Sequence, residues 1–178
     1  MRISLLISIS LLLTACTQSD YQAIEIIGIN QSQQTVVRGM GVRLWDDAIL
    51  TSAHVVRDDR LSYQIGSLRY RVVERDIIGD RAILSQIQII EKINSQIPQF
   101  QKVQKWDQVY TEVSRSGSIV RIAGKVVDPS GSVLGYDMTG RVVTLSGIVL
   151  TDIELQLGDS GAPIFTTQWD IVDVVHVR

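Results

Sequence analysis

Disulfide chemistry is closed to this chain, because Cys16 is the only cysteine among its 178 residues. Whatever stabilises the fold must be a packed core. Two histidines and one cysteine cannot assemble a zinc ligand set at recognised spacings, so no metal and no cofactor is expected. Net charge is −2 and there is no basic tract, which excludes nucleic acid and acidic membrane surfaces as electrostatic partners. The apolar run from Ile3 to Leu13 holds eleven residues, serines included, against about twenty needed for a membrane-spanning helix. A sustained helical period is also lacking, which turns the reading toward strands.

What is present divides into a leader and a globular remainder. Arg2, the Ile3 to Leu13 run and the small residues Thr14-Ala15 read as an export signal over residues 1–15. Leu13-Thr14-Ala15-Cys16 resembles the bacterial lipobox, which implies that Cys16 is lipidated and that residues 16–20 form a short tether. An ordinary secretory signal with an incidental cysteine is the alternative. Thr17, where an aspartate would resemble an inner-membrane retention signal, leaves outer-membrane sorting as the default in a cell with two membranes. The rest is 45% hydrophobic and 20% charged over the whole chain, typical of a globular protein with a sizeable core.

Short runs rich in β-branched residues follow one another, bounded largely by Gly, Asn, Asp and Ser. Strands are expected at Ala23 to Ile29, Thr35 to Leu44, Ala48 to Thr51, Leu61 to Ile65, Leu68 to Arg75 and Ala82 to Ile90. A second set is expected at Gln108 to Val113, Ser118 to Val127, Arg141 to Leu150, Ala162 to Phe165 and Ile171 to Val177. Asp128-Pro129-Ser130-Gly131 and Thr139-Gly140 are expected as turns between them.

Three motifs carry chemistry. Leu157-Gly158-Asp159-Ser160-Gly161-Ala162-Pro163 places a serine between glycines, Leu50-Thr51-Ser52-Ala53-His54-Val55-Val56 lies about a hundred residues earlier, and Gly79-Asp80-Arg81-Ala82-Ile83-Leu84 stands between. In the order His, Asp, Ser they resemble the trypsin-like (chymotrypsin-fold) serine proteases, bacterial disulfide-free members above all. Gly39-Met40-Gly41-Val42 resembles the glycine-flanked strand before that family's histidine, and Asp107-Gln108-Val109-Tyr110 the start of its second barrel. The resemblance implies an all-β fold of two antiparallel Greek-key barrels. The first, residues 21–98, would carry His54 and Asp80; the second, 99–178, would carry Ser160, with Glu91 to Lys105 crossing between them.

Each residue has a role in the implied chemistry. A serine hydroxyl is a poor nucleophile at neutral pH and needs a base, for which His54 is the candidate. Asp80 would hold the imidazole in the right tautomer; Asp76 is a rival. Gly158 and Ser160 inherit the oxyanion-binding N–H groups by position. Asp159 organises the loop: in the trypsin branch that aspartate pairs with a freshly cut N-terminus, which an acylated Cys16 could not supply, so the loop is expected to form without such a cut. For specificity, Glu154 would favour Lys or Arg, whereas His176, in Val174-Val175-His176, resembles the histidine by which glutamyl endopeptidases bind an acidic side chain. Both also read as solvent-facing residues.

The chain departs from the family at Ala162, where a second glycine is usual, at Arg178, and in stopping there, which implies a second barrel without its closing strand. The function implied is a lipid-anchored serine endopeptidase acting on proteins or peptides outside the cytoplasm. A silent protease-fold lipoprotein that binds peptides or a partner protein is the alternative. An α/β-hydrolase would need a nucleophile elbow and a downstream histidine in a pattern that is not here.

Overall fold

The computed structural model describes residues 21–44, 48–88, 97–136 and 141–176. The leader, Cys16, the 16–20 tether, the Thr139-Gly140 turn, Arg178 and part of the crossing segment lie outside the described residues. Eleven strands run through the described parts: β1 Gln22–Ile29, β2 Thr35–Arg43, β3 Ala48–Ser52, β4 Ser62–Ile65, β5 Leu68–Asp76, β6 Arg81–Gln86, β7 Gln108–Arg115, β8 Ser118–Tyr136, β9 Val142–Thr151, β10 Pro163–Thr166 and β11 Ile171–Val174. No helix occurs among the described residues. Strands β1 to β6 close into a barrel in the order β1-β2-β3-β6-β5-β4, and the other five form an antiparallel sheet ordered β11-β10-β7-β8-β9.

Strand β3 explains how the two halves meet. All five of its residues are buried, as expected of a continuous apolar run covered on both faces. Side chains alternate across a strand, so Ile49 points into the barrel core with Ile26, Tyr63, Tyr70 and Leu84. Ala48 and Leu50 point the other way, into a core shared with Phe165 and Val174 of the second sheet. Strand β6 repeats the division, with Ala82 and Leu84 inside the barrel and Ile83 in the shared core. The β3–β6 ladder is therefore the wall between barrel and sheet. Burying side chains of this size stabilises the contact by roughly 1.5–3 kcal/mol each.

Hydrogen bonds fasten the same seam. Met40 N–H donates to the Ser160 carbonyl at 2.7 Å and Gly161 N–H to the Val175 carbonyl at 2.8 Å. The Ser52 hydroxyl donates to the Val175 carbonyl at 2.7 Å. Segments that are far apart in the chain, 39–41, 51–54, 160–162 and 175–176, are thus held at one junction.

In the second sheet, β7 and β8 form a hairpin whose two loop residues, Ser116 and Gly117, both take positive φ (53° and 81°). That is the twist-compatible two-residue connection favoured in hairpins. Strand β8 differs from expectation. Asp128-Pro129-Ser130-Gly131 is not a turn between strands but a bulge inside one long strand, marked by register shifts between Val126 and Ser132. Pro129 has no N–H to give a ladder, and Ser130 N–H is satisfied by the Asp128 side chain at 3.0 Å, which fits a bulge rather than a chain reversal. The bend lets β8 pair with β7 through its first half and with β9 through its second. Strand β6 also ends at Gln86 and β11 at Val174, earlier than the apolar pattern implies. Among the described residues no strand pairs with the outer edges of β9 and β11.

Candidate active site

Register alone brings the first two candidate groups together. Ser52, the last residue of β3, is paired with Arg81, the first of β6, so the chain leaving β3 and the chain entering β6 start side by side. One residue beyond that pair, Ala53 N–H donates to the Asp80 carbonyl at 3.0 Å. His54 follows at once: its backbone N–H donates to Asp80 Oδ1 at 3.0 Å and its Nδ1 to Asp80 Oδ2 at 2.7 Å. Asp80 holds this position with φ of 51°, a left-handed conformation that Asp tolerates better than most side chains.

The rival carboxylate is occupied elsewhere. Asp76 accepts the Gly79 N–H at 2.9 Å and lies 3.8 Å from the Arg81 guanidinium, with its side chain substantially exposed.

Because a carboxylate only accepts, the His54 nitrogen facing Asp80 must carry the proton, which leaves Nε2 with the basic lone pair. Nε2 is buried and makes no hydrogen bond among the described residues. Burial pushes the Asp80 carboxyl up, but hydrogen bonds from His176 and His54 outweigh it and hold it well below the usual carboxylate range. Asp80 thus stays ionised at any pH at which the imidazole works as a base.

Ser160 is buried at the seam, with its carbonyl on Met40 N–H. The loop before it is built around Asp159, which is 1% exposed. Its carboxylate is gripped at both oxygens by the Arg115 guanidinium, Nη1 to Oδ1 and Nη2 to Oδ2, the latter at 2.6 Å. Gln156 N–H donates to the same Oδ2 at 2.7 Å, and Asp159 N–H returns to the Gln156 carbonyl at 3.1 Å. Gly158 takes φ of +98° and Gly161 φ of +86°, conformations open to glycine at little cost. An added Cβ at Gly161 would sit 2.1 Å from the Met40 carbonyl oxygen; only glycine fits beneath the nucleophile. Ala162, the departure from the family pattern, is buried without exposure in the core of the second sheet.

The two specificity candidates differ in placement. Glu154 is exposed on the stretch between β9 and the loop. His176 is not solvent-facing, since its side chain is only 5% exposed. Its Nδ1 donates to Asp80 Oδ2 at 3.2 Å, the same oxygen that His54 engages. Its Nε2 lies 3.4 Å from Asp173 Oδ1, within ion-pair range but off the line of a hydrogen bond. Burial alone would lower the His176 pKa, but the Asp173 and Asp80 carboxylates raise it to about 8.

Sequence reasoning missed three residues of this site. Asp173, fully buried, accepts from Arg81 Nε at 2.9 Å and from Val149 N–H at 2.8 Å. A carboxylate inside Ile171-Val172-Asp173-Val174-Val175 was a legible signal, because a charge in a buried apolar run needs partners. Arg81, stacked over Phe100 at 4.6 Å, and Arg115, beside a hairpin turn, read in sequence as ordinary solvated cations. Among the described residues no cluster of side chains could hold a metal ion.

No family model matches the chain, and no curated protein sequence matches it. Solved structures resemble it in shape. The Rv3671c protease of M. tuberculosis in its active form aligns with a TM-score of 0.65 at 19% identity, over 86% of this chain and 68% of that one. The MamO protease domain of Magnetospirillum magneticum, in its apo form, aligns at 0.64 and 16% identity, over 85% and 82%. Deg5 aligns at 0.60 and 16% identity, over 85% and 77%. Identities this low speak for shape and not for activity. With its closed six-stranded barrel packed against a second barrel-like sheet, the chain has the chymotrypsin-like fold of the trypsin-like serine proteases.

Proposed function

We propose that the protein is a serine endopeptidase in which Ser160 is the nucleophile, His54 the general base and Asp80 the residue that orients it. The observation that carries this reading is the two-point grip of Asp80 on His54, at the backbone N–H and at Nδ1. It fixes both the rotamer and the tautomer of the ring, which is what a base must have before substrate arrives. Ser160 Oγ would attack the scissile carbonyl as His54 Nε2 takes its proton. Gly158 and Ser160 N–H groups would receive the developing oxyanion, and His54 would return the proton to the leaving amine. Water then repeats the sequence on the acyl-enzyme. Arg115, an internal cation on Asp159, supports a loop that is competent without a newly cut amino terminus.

For substrates, His176 is buried against the Asp80 and Asp173 carboxylates, which would repel an acidic side chain, whereas Glu154 is an exposed charge ahead of the loop. A preference for Lys or Arg is the proposal made on this ground, checked by comparing Lys, Arg and Glu peptides on wild type and Glu154→Gln. Export and attachment through an acylated Cys16, outer membrane by default, complete the proposal. Loss of palmitate incorporation in Cys16→Ser tests that part.

The test of activity is labelling by a fluorophosphonate probe. Folded wild type should gain the probe mass and Ser160→Ala should not; an unlabelled, folded wild type ends the endopeptidase reading. The alternative, a silent peptide-binding protein of protease fold, draws on one observation, the absence of a hydrogen bond to His54 Nε2. In resting proteases that contact is often loose and tightens with substrate, so activity remains the leading reading.

A further inference from the structure

The candidate triad does not end at Asp80. Behind it lies a second imidazole and a second carboxylate, in the order His54, Asp80, His176, Asp173, with Arg81 closing the line. Among the described residues, the ionisable groups of this line come from the end of β3, the start of β6 and the end of β11. His54 follows β3, Asp80 precedes β6, Arg81 opens β6, Asp173 belongs to β11, and Asp76 of β5 touches only Arg81. Asp80, Asp173 and His176 are all nearly without solvent contact.

Two buried carboxylates on either side of the ring favour the protonated state of His176. Asp80 Oδ2, at 3.2 Å, can only accept, so Nδ1 carries a proton. Asp173 Oδ1, at 3.4 Å from Nε2, also only presents lone pairs. A neutral ring would set its own lone pair against that oxygen in a site nearly closed to solvent. Both carboxylates therefore stabilise the ring as an imidazolium. An imidazolium here, with the Arg81 guanidinium, also sets positive charge against the two buried carboxylates. The raised His176 pKa agrees with this arrangement.

We propose that His176 is a positioning residue of the catalytic unit, a buried imidazolium that clamps the Asp80 carboxylate at Oδ2, the oxygen it shares with His54. This rests on the endopeptidase reading, since positioning Asp80 matters only if His54 is a base. The clamp has two separable effects. As a hydrogen-bond donor it holds the carboxylate plane that orients His54. As a cation it draws charge from the carboxylate oxygen that His54 Nδ1 also engages.

Two substitutions separate these effects. His176→Asn keeps an N–H near the position of Nδ1 but no charge. Its kcat should stay within about three-fold of wild type, while the acid limb of kcat/KM moves up by about one pH unit. His176→Ala loses both, and kcat should fall about ten- to a hundred-fold at unchanged KM. A structural role alone would leave the acid limb of His176→Asn where it is in wild type, and that result overturns the proposal.

The chain has two histidines, so ring-nitrogen NMR assigns itself once His54 is replaced, and it needs no activity. In wild type at pH 6 both nitrogens of His176 should be protonated, with loss of one near pH 8. A singly protonated His176 at pH 6 also overturns the proposal. If the probe fails to label Ser160 while His176 titrates as stated, the endopeptidase reading falls and the buried imidazolium stands. If labelling succeeds and His176 is neutral, the reverse holds.

Discussion

Arg115 and Asp159 form a two-point ion pair that joins the end of β7 to the residue just before the nucleophile, 44 positions away in sequence. The carboxylate is buried and the guanidinium about a quarter exposed. Both Asp159 oxygens are engaged, so the pair fixes the plane of the carboxylate and with it the loop from Gln156 to Ser160.

Arg115→Met should therefore leave Asp159 as an uncompensated buried charge and destabilise the fold by about 3 kcal/mol, the lower end for a broken buried pair because Arg115 is partly solvated. Arg115→Lys should recover only part of this, since an ammonium cannot bond both oxygens in one plane. Urea midpoints of the three proteins check the order. In both variants the rate of fluorophosphonate labelling should fall further than the folded fraction does.

Stability should depend on pH on both sides of neutrality. His176 has a folded pKa of about 8 against 6.5 unfolded, so its contribution is complete below 6.5 and is lost as pH rises through 8. For a side chain this buried the loss is about 2 kcal/mol. Asp80 acts in the opposite sense: its folded pKa lies below the ordinary 3.8, so its contribution is present above about 4 and is lost as pH falls. A plateau of urea stability between roughly pH 4 and 6.5 should result. His176→Asn should abolish the decline between 6.5 and 8.

The two loop glycines should respond differently to alanine. Gly158 takes φ of +98° with nothing within 4 Å of an added Cβ, so Gly158→Ala should fold at a cost of about 1–2 kcal/mol. Gly161→Ala adds a 2.1 Å collision with the Met40 carbonyl oxygen and a 2.3 Å one with Thr51 Oγ1. It should lose at least ~3 kcal/mol and express poorly. Equal midpoints for the two variants would contradict this assignment of space.

Asp80→Asn should lower kcat about 10⁴-fold, because an amide can present its N–H to His54 and stabilise the wrong tautomer. Asp76→Asn keeps an oxygen for the Gly79 N–H and should stay within a few-fold of wild type. Burst kinetics with an ester substrate compares the two directly.

The strand pattern was legible in sequence because its cause is local. Alternation in β7 and the short apolar runs within β3 and β6 follow from which faces water reaches. The bulge in β8 was not legible: Asp128-Pro129-Ser130-Gly131 has the composition of a turn, and only the paths of β7 and β9 on either side turn it into a bend within one strand. His54 and Asp80 could be named from their motifs, but their meeting depends on the pairing of Ser52 with Arg81.

By itself, then, the sequence determined a disulfide-free, all-strand chain with a serine, a histidine and an aspartate in the trypsin-like order, because composition and short motifs are properties of neighbours along the chain. Only the tertiary structure decided the charges that surround them. It put Arg115 on Asp159 and His176 on Asp80, since a buried charge is defined by groups that reach it across the core, and these partners lie 44 and 96 residues away in the chain.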